Sequence, residues 1–135
     1  MIIVACGARK HHEPAPARDL YRGAYFRACL AYALRIAPAK DVYILSAKYG
    51  LIGLNNRIEP YDLKLGEAGS IGSGQLSVQA ENLCLLREKV TVLGGKLYVN
   101  LVRNVWKHVE APLDGKGGLG PQMAWMRSQP NGMRK

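Results

Sequence analysis

Asp41-Val-Tyr-Ile-Leu-Ser46 is rich in β-forming residues and alternates poorly between polar and apolar, the pattern of a strand buried on both faces. Ala47-Lys48-Tyr49-Gly50 reads as the turn that leaves it. Upstream, Ile2-Ile3-Val4-Ala5 is another short apolar run, broken by Gly7. Between the two runs, a polar, proline-containing stretch from Ala8 to Asp19 precedes Phe26, Cys29, Leu30, Ala33 and Ile36, which recur at helical spacing. That helix stops before Pro38, because the residue ahead of a proline disfavours helical backbone. Strand, helix, strand over this length is a parallel βαβ unit, nearly always right-handed.

Downstream, Leu51 to Leu65 shows no clean period and reads as an ordered loop. Gly66 to Gly74 holds four glycines and two serines, the composition of a mobile lid or, more simply, a surface linker. Gln75 to Lys89 is expected to be helical, with Leu76, Gln79, Leu83 and Leu86 near one face. Val90-Thr-Val-Leu93 gives a third strand that ends in Gly94-Gly95, followed by a helix with Leu97, Leu101 and Val105 at four-residue intervals. His108 to Leu113 is expected as an edge strand and Pro121 to Arg127 as a last short helix. The expected fold is therefore α/β: a single-domain, three-layer Rossmann-like arrangement over residues 1–128 with a small, mostly parallel sheet of about four strands. Residues 129–135 read as a flexible basic tail.

The chain has 135 residues, enough for one packed core without a disulfide or metal staple. Hydrophobic residues make up 48% and charged ones 21%, close to globular averages, which excludes wholesale disorder. Cys6, Cys29 and Cys84 are odd in number and widely spaced, with no CxxC pair, so neither a disulfide framework nor a zinc site is expected. The first residues lack the basic region and the apolar length of an export signal, and a cytoplasmic protein with no membrane partner is expected. A net charge of +9 favours polyanions such as DNA, RNA or nucleotides, although a solvated basic surface explains it equally well. The apolar last segment with Trp125 and Met126 is a candidate homodimer face.

Ligands of open parallel sheets sit beyond the carboxyl ends of the strands. Three segments meet that criterion: Cys6-Gly7-Ala8-Arg9-Lys10, Ser46-Ala47-Lys48-Tyr49-Gly50 and Gly94-Gly95-Lys96-Leu97-Tyr98. Each joins a small residue to a cation or hydroxyl, the chemistry of a phosphate or polar heterocycle. Gly94-Gly95 alone is a weak signal, since glycine pairs usually mark ordinary turns. Cys6, with Arg9 and Lys10 close by, is a candidate nucleophile or redox-sensitive thiol, weighed against a small residue filling the strand end. Cys29 and Cys84, on expected helix faces, read as core residues. His11, His12 and His108 have no partner at metal-ligand spacing. Glu59 and Asp62 flank Pro60-Tyr61 and either converge on a ligand as acid or base, or serve as a salt bridge to Arg57 or a turn cap. Trp106 and Trp125 read as core or interface anchors.

Cys6-Gly-Ala-Arg-Lys10, Leu20-Tyr-Arg-Gly23 with Phe26, Leu45-Ser-Ala-Lys-Tyr-Gly-Leu51, Ile58-Glu-Pro-Tyr-Asp-Leu63, Pro112-Leu113 and Gly120-Pro-Gln-Met-Ala-Trp125 together resemble a small domain family of phage and bacterial proteins related to the YaaA superfamily. For the larger YaaA proteins the resemblance implies a DNA-associated role in oxidative stress. This chain is shorter and has no clear helix-hairpin-helix segment. The first motif is also similar to the Cys-Ser-x-x-Lys turn in the catalytic domain of archaeosine synthase, which modifies a deazaguanine base in tRNA; here Gly7 stands in place of the serine.

The leading expectation is an enzyme acting on a nucleobase or nucleotide by base modification, glycosidic or transfer chemistry, with no cofactor. Cys6 is the nucleophile, Glu59 and Asp62 supply acid–base or hydrogen-bonding groups, and Lys10 and Lys48 neutralise anionic oxygens. Tyr49 or Tyr61 stacks on the base, and Gly7, Ser46, Gly94, Gly95 and Tyr98 complete the pocket. The alternatives are a basic DNA- or RNA-binding module and a non-catalytic binder that sequesters a small nucleotide signal.

Overall fold

The computed structural model describes residues 1–8 and 10–130. Arg9 and the end of the expected tail, 131–135, lie outside the described residues. In chain order the elements are β1 (Ile2–Ala5), β2 (Ala15–Pro16), α1 (Ala17–Leu20), α2 (Ala24–Ile36), a 3-10 turn (Ala39–Asp41), β3 (Val42–Ser46), β4 (Gly50–Gly53) and β5 (Arg57–Ile58). Then follow α3 (Ser73–Asn82), β6 (Val90–Leu93), α4 (Lys96–Arg103), β7 (Val109–Glu110) and α5 (Leu119–Ser128).

The main sheet has five strands in the order β4-β3-β1-β6-β7, one more than expected. β1 pairs in parallel with both β3 and β6, and β7 runs parallel to β6. The additional strand is β4, antiparallel to β3, in the stretch expected to be a turn and loop. Gly50 makes this reversal possible: its φ of +74° lies where a side chain is strained, and a Cβ there would run into the Gln79 amide. Two apolar residues, Leu51 and Ile52, were too short a run to announce a strand. The short β2 and β5 form a separate two-stranded antiparallel ribbon, also unforeseen, that ties the start of α1 to the loop after β4.

The side chains of β1 alternate between two apolar clusters. Ile2 and Val4 pack with Phe26, Cys29 and Ala33 of α2 and Met126 of α5. Ile3 packs with Leu76 and Ala80 of α3 and Val99 and Val102 of α4. Trp106 closes this second cluster, buried with its indole N–H donating to the Leu85 carbonyl at 2.9 Å. Trp125 lies edge-on against Tyr32, ring centroids 5.6 Å apart.

Helix α3 ends at Asn82 rather than continuing to Lys89. Cys84 takes a left-handed φ of 59°, and the Leu85 amide reaches back to the Ala80 carbonyl at 2.8 Å, closing the helix. Cys84 is consequently exposed and off the helix, not a core residue, and Leu83 and Leu86 also face solvent. The glycine-rich segment before α3 is tethered rather than a free linker: Ile71 is buried and its amide donates to the Ala47 carbonyl at 2.8 Å. Both sheet edges are guarded. β7 is two residues long, and the outward amides of β4 are occupied by side chains, Leu51 donating to Gln79 Oε1 and Gly53 to Asn56 Oδ1. Among the described residues, no helix is long and apolar enough to cross a membrane.

Candidate functional site

The chain passes from β1 to β3 on one side and then crosses back to place β6 on the other side of β1. The carboxyl ends of β1 and β6 therefore diverge at a topological switch point, where open sheets bind ligands. Cys6 follows β1 directly, its amide still paired with the Leu45 carbonyl at 3.0 Å. Tyr98, in the first turn of α4 after β6, spans the crevice: its hydroxyl lies 3.2 Å from Cys6 Sγ.

A hydroxyl chain reaches the same sulfur from the other side. Ser46, fully buried at the end of β3, accepts the amides of Lys48 and Tyr49 at 3.1 and 3.0 Å. Its own hydrogen goes to the Tyr61 phenol oxygen at 2.7 Å. Tyr61 in turn donates to Cys6 Sγ at 3.5 Å. With that single proton directed at sulfur, the Tyr21 hydroxyl, 2.6 Å from Tyr61, is the donor in their pair. The proton chain thus runs from Ser46 and Tyr21 through Tyr61 to Cys6. Burial above all, and then the nearness of Cys6, raise the ionisation of Tyr61 and Tyr98 above the ordinary phenol value. Tyr21 is raised for the same two reasons, and all three phenols keep their protons.

Lys10 covers the chain. Its ammonium lies 4.4 Å from the Tyr61 ring centroid and donates to the Ala8 carbonyl at 3.1 Å. Lys48 is exposed and stands 5.3 Å over the Tyr49 ring, which meets the Tyr61 ring edge-on at 5.5 Å. A cavity of about 300 Å³ opens beside Cys6, lined also by Gly7, Ala8, Lys10, Asp62, Leu63, Lys64, Leu65, Leu97 and Tyr98.

Of the residues picked from sequence, Cys6, Gly7, Lys10, Asp62 and Tyr98 line this one cavity, and Ser46 and Tyr61 bond to its sulfur directly or in relay. Lys48 and Tyr49 stand beside it. Asp62 and Glu59 are both exposed, only Asp62 lines the cavity, and the Glu59 carbonyl accepts the Tyr49 hydroxyl at 3.4 Å. Arg57 donates instead to the Pro14 carbonyl, and among the described residues the only ion pair is Arg103 with Asp114. Gly94 is buried against Ala5, where a Cβ would overlap the alanine Cβ. With Gly95 it opens onto a neighbouring cleft of about 340 Å³ shared with Lys96, Asp114 and Gln122. Among the described residues, no group of three His, Cys, Asp or Glu is placed to hold a metal ion.

Two contributors, Tyr21 and Gln79, escaped the sequence reading, and a third, Leu97, was named only for its helical spacing and as part of the Gly94 to Tyr98 segment. Tyr21 stood in the Leu20-Tyr-Arg-Gly23 motif, but nothing local showed that it would meet Tyr61. Gln79 read as a helix-face residue, whereas its amide brackets Gly50, accepting from Leu51 and donating to the Tyr49 carbonyl at 2.8 Å. Leu97 was expected on a helix at four-residue spacing with Leu101 and Val105, within the Gly94 to Tyr98 segment at the strand end. It is 60% exposed and lines the cavity, because the buried face of α4 is formed by Val99, Leu101 and Val102.

No curated protein and no solved structure matches the chain. Nothing in the family match ties it to the YaaA superfamily or to archaeosine synthase. One family model covers residues 1–128, and the chain accordingly belongs to the family of unknown function DUF6884.

Proposed function

We propose that the protein is an enzyme acting on a nucleotide or nucleobase, with Cys6 as nucleophile in a crevice at the switch point of a three-layer, Rossmann-like frame. The observation that supports it most is the convergence of two phenolic hydroxyls, from Tyr61 and Tyr98, on one partly exposed sulfur at the mouth of a cavity. Two phenolic hydroxyls fix the position of the sulfur from the protein side while its remaining face meets the ligand. Asp62, at the cavity rim, is the acid–base group, and Lys10 and Lys48 offset anionic oxygens of the ligand. Tyr49, edge-on against Tyr61 and donating to the Glu59 backbone carbonyl, steadies the Tyr61 phenol beside the cavity.

A second reading is a binder that sequesters a nucleotide without turnover. It is favoured by the partners of Cys6, which among the described residues are tyrosines, with no histidine or carboxylate bonded to the sulfur to act as its base. Native mass spectrometry of the purified protein with a nucleotide and nucleobase panel, followed by analysis of ligand released on denaturation, separates the two. A chemically altered ligand that is lost in Cys6→Ala supports the enzyme. An unaltered ligand supports sequestration. Binding confined to long polynucleotides, falling steeply with salt, would overturn both in favour of a nucleic-acid module.

A further inference from the structure

We infer that the cavity beside Cys6 takes a nucleoside monophosphate, its base laid against Leu97 and its phosphate toward Lys10 and Lys64. The inference rests on the nucleotide reading above and identifies the form and orientation of the ligand. Leu97 carries it. Single exposed leucines are common on protein surfaces and mean little. Here a leucine left 60% exposed shares one cavity with Leu63 and Leu65, which come from a different part of the chain. Three leucines facing one concavity from two directions form an apolar wall whose exposure a flat ligand would relieve.

The rest of the lining has the opposite character. Lys10 and Lys64 outnumber the one carboxylate, Asp62, so the polar side favours an anion. Lys10 is held at the mouth by the Ala8 carbonyl and the Tyr61 ring, which fixes where a phosphate would meet it. A ligand with one apolar face and one anionic end matches both walls. The volume of about 300 Å³ is at the lower limit of small-molecule sites, which suits a mononucleotide. Asp62 then meets a sugar hydroxyl or an exocyclic amine.

Isothermal titration with the four common nucleoside monophosphates, the matching free bases and inorganic phosphate tests this on the full chain. At least one monophosphate is expected to bind saturably, and more tightly than its base or phosphate alone. Leu97→Asp should weaken it by about tenfold or more, with Leu97→Met within about threefold of wild type. The melting temperature of both variants should stay close to wild type, since the side chain is mostly in solvent. The double variant Lys10→Ala/Lys64→Ala should abolish the preference for the monophosphate over the free base. No monophosphate binding, or affinity indifferent to Leu97→Asp, would overturn the inference. Failure of the enzyme reading looks different: the monophosphate is bound in a Leu97-dependent way and recovered unchanged.

Discussion

The Ser46 hydroxyl donates to the Tyr61 phenol at 2.7 Å while holding the amides of Lys48 and Tyr49 on its lone pairs. One buried serine therefore both shapes the turn after β3 and sets the direction of the proton chain that ends on Cys6. Ser46→Ala leaves two amides and a phenol short of a partner. A loss of about 1–3 kcal/mol is expected from urea denaturation. Tyr61→Phe should cost a similar amount, because the nearly buried Tyr21 hydroxyl loses its acceptor. In the double variant the losses should fall short of additive by about 1 kcal/mol, the coupling expected of groups in one network. Full additivity would mean that the hydroxyl chain is not energetically connected.

The reversal into β4 depends on Gly50 and Gln79. Gly50→Ala must strain a φ of +74° and displace the Gln79 amide. A loss of about 2–4 kcal/mol by thermal or urea unfolding is expected. Gln79→Leu removes the donor and acceptor that cover the edge of β4 and should raise the tendency of the protein to associate, as read by light scattering. A monodisperse Gln79→Leu variant with unchanged stability would show that the bracket is dispensable.

Burial pushes the Cys29 thiol from 9.0 up to about 12. Below 9.0 both folded and unfolded chains keep the proton, and the contribution to stability is complete. Between 9.0 and about 12 only the unfolded chain ionises, so stability falls as pH rises and the contribution is lost through the folded value. Tyr21, Tyr25, Tyr61 and Tyr98, all raised from 10.0 chiefly by burial, act in the same direction. The urea midpoint should therefore decline above pH 9.0, and less steeply in Cys29→Ala. Parallel declines in the two proteins would remove Cys29 from the account.

The three thiols differ in accessibility. Cys84 is exposed, Cys6 half-buried at the cavity and Cys29 buried. Iodoacetamide labelling of the native protein followed by peptide mapping should modify Cys84 first, Cys6 next and Cys29 only on unfolding. A ligand occupying the cavity should protect Cys6 and leave Cys84 unchanged. Equal protection of both would indicate a global effect on folding rather than occupancy of the site.

Much of this protein is visible in its local composition. Ile2–Ala5, Val42–Ser46 and Val90–Leu93 are apolar runs that can only be buried, and the helical spacing of Phe26, Cys29 and Ala33 already names the face of α2 that covers the sheet. Burial of apolar surface is a property of each segment, so it shows in the residues themselves. The same runs placed Cys6, Ser46 and Tyr98 near strand ends, where the candidate site lies. What composition did not reveal was which polar groups would meet. Cys6 finds Tyr98 across 92 positions of chain and Tyr21 finds Tyr61 across 40, because strand order brings their elements together. Strand β4 was hidden for the same reason: two apolar residues become a strand only because β3 is there to pair with them. Leu97 shares the helical spacing of Leu101 and Val105, yet it is left outside because α4 lies on the sheet through Val99 and Val102. Hydrogen-bond partners and exposure are relations between segments, and only the packed chain specifies them.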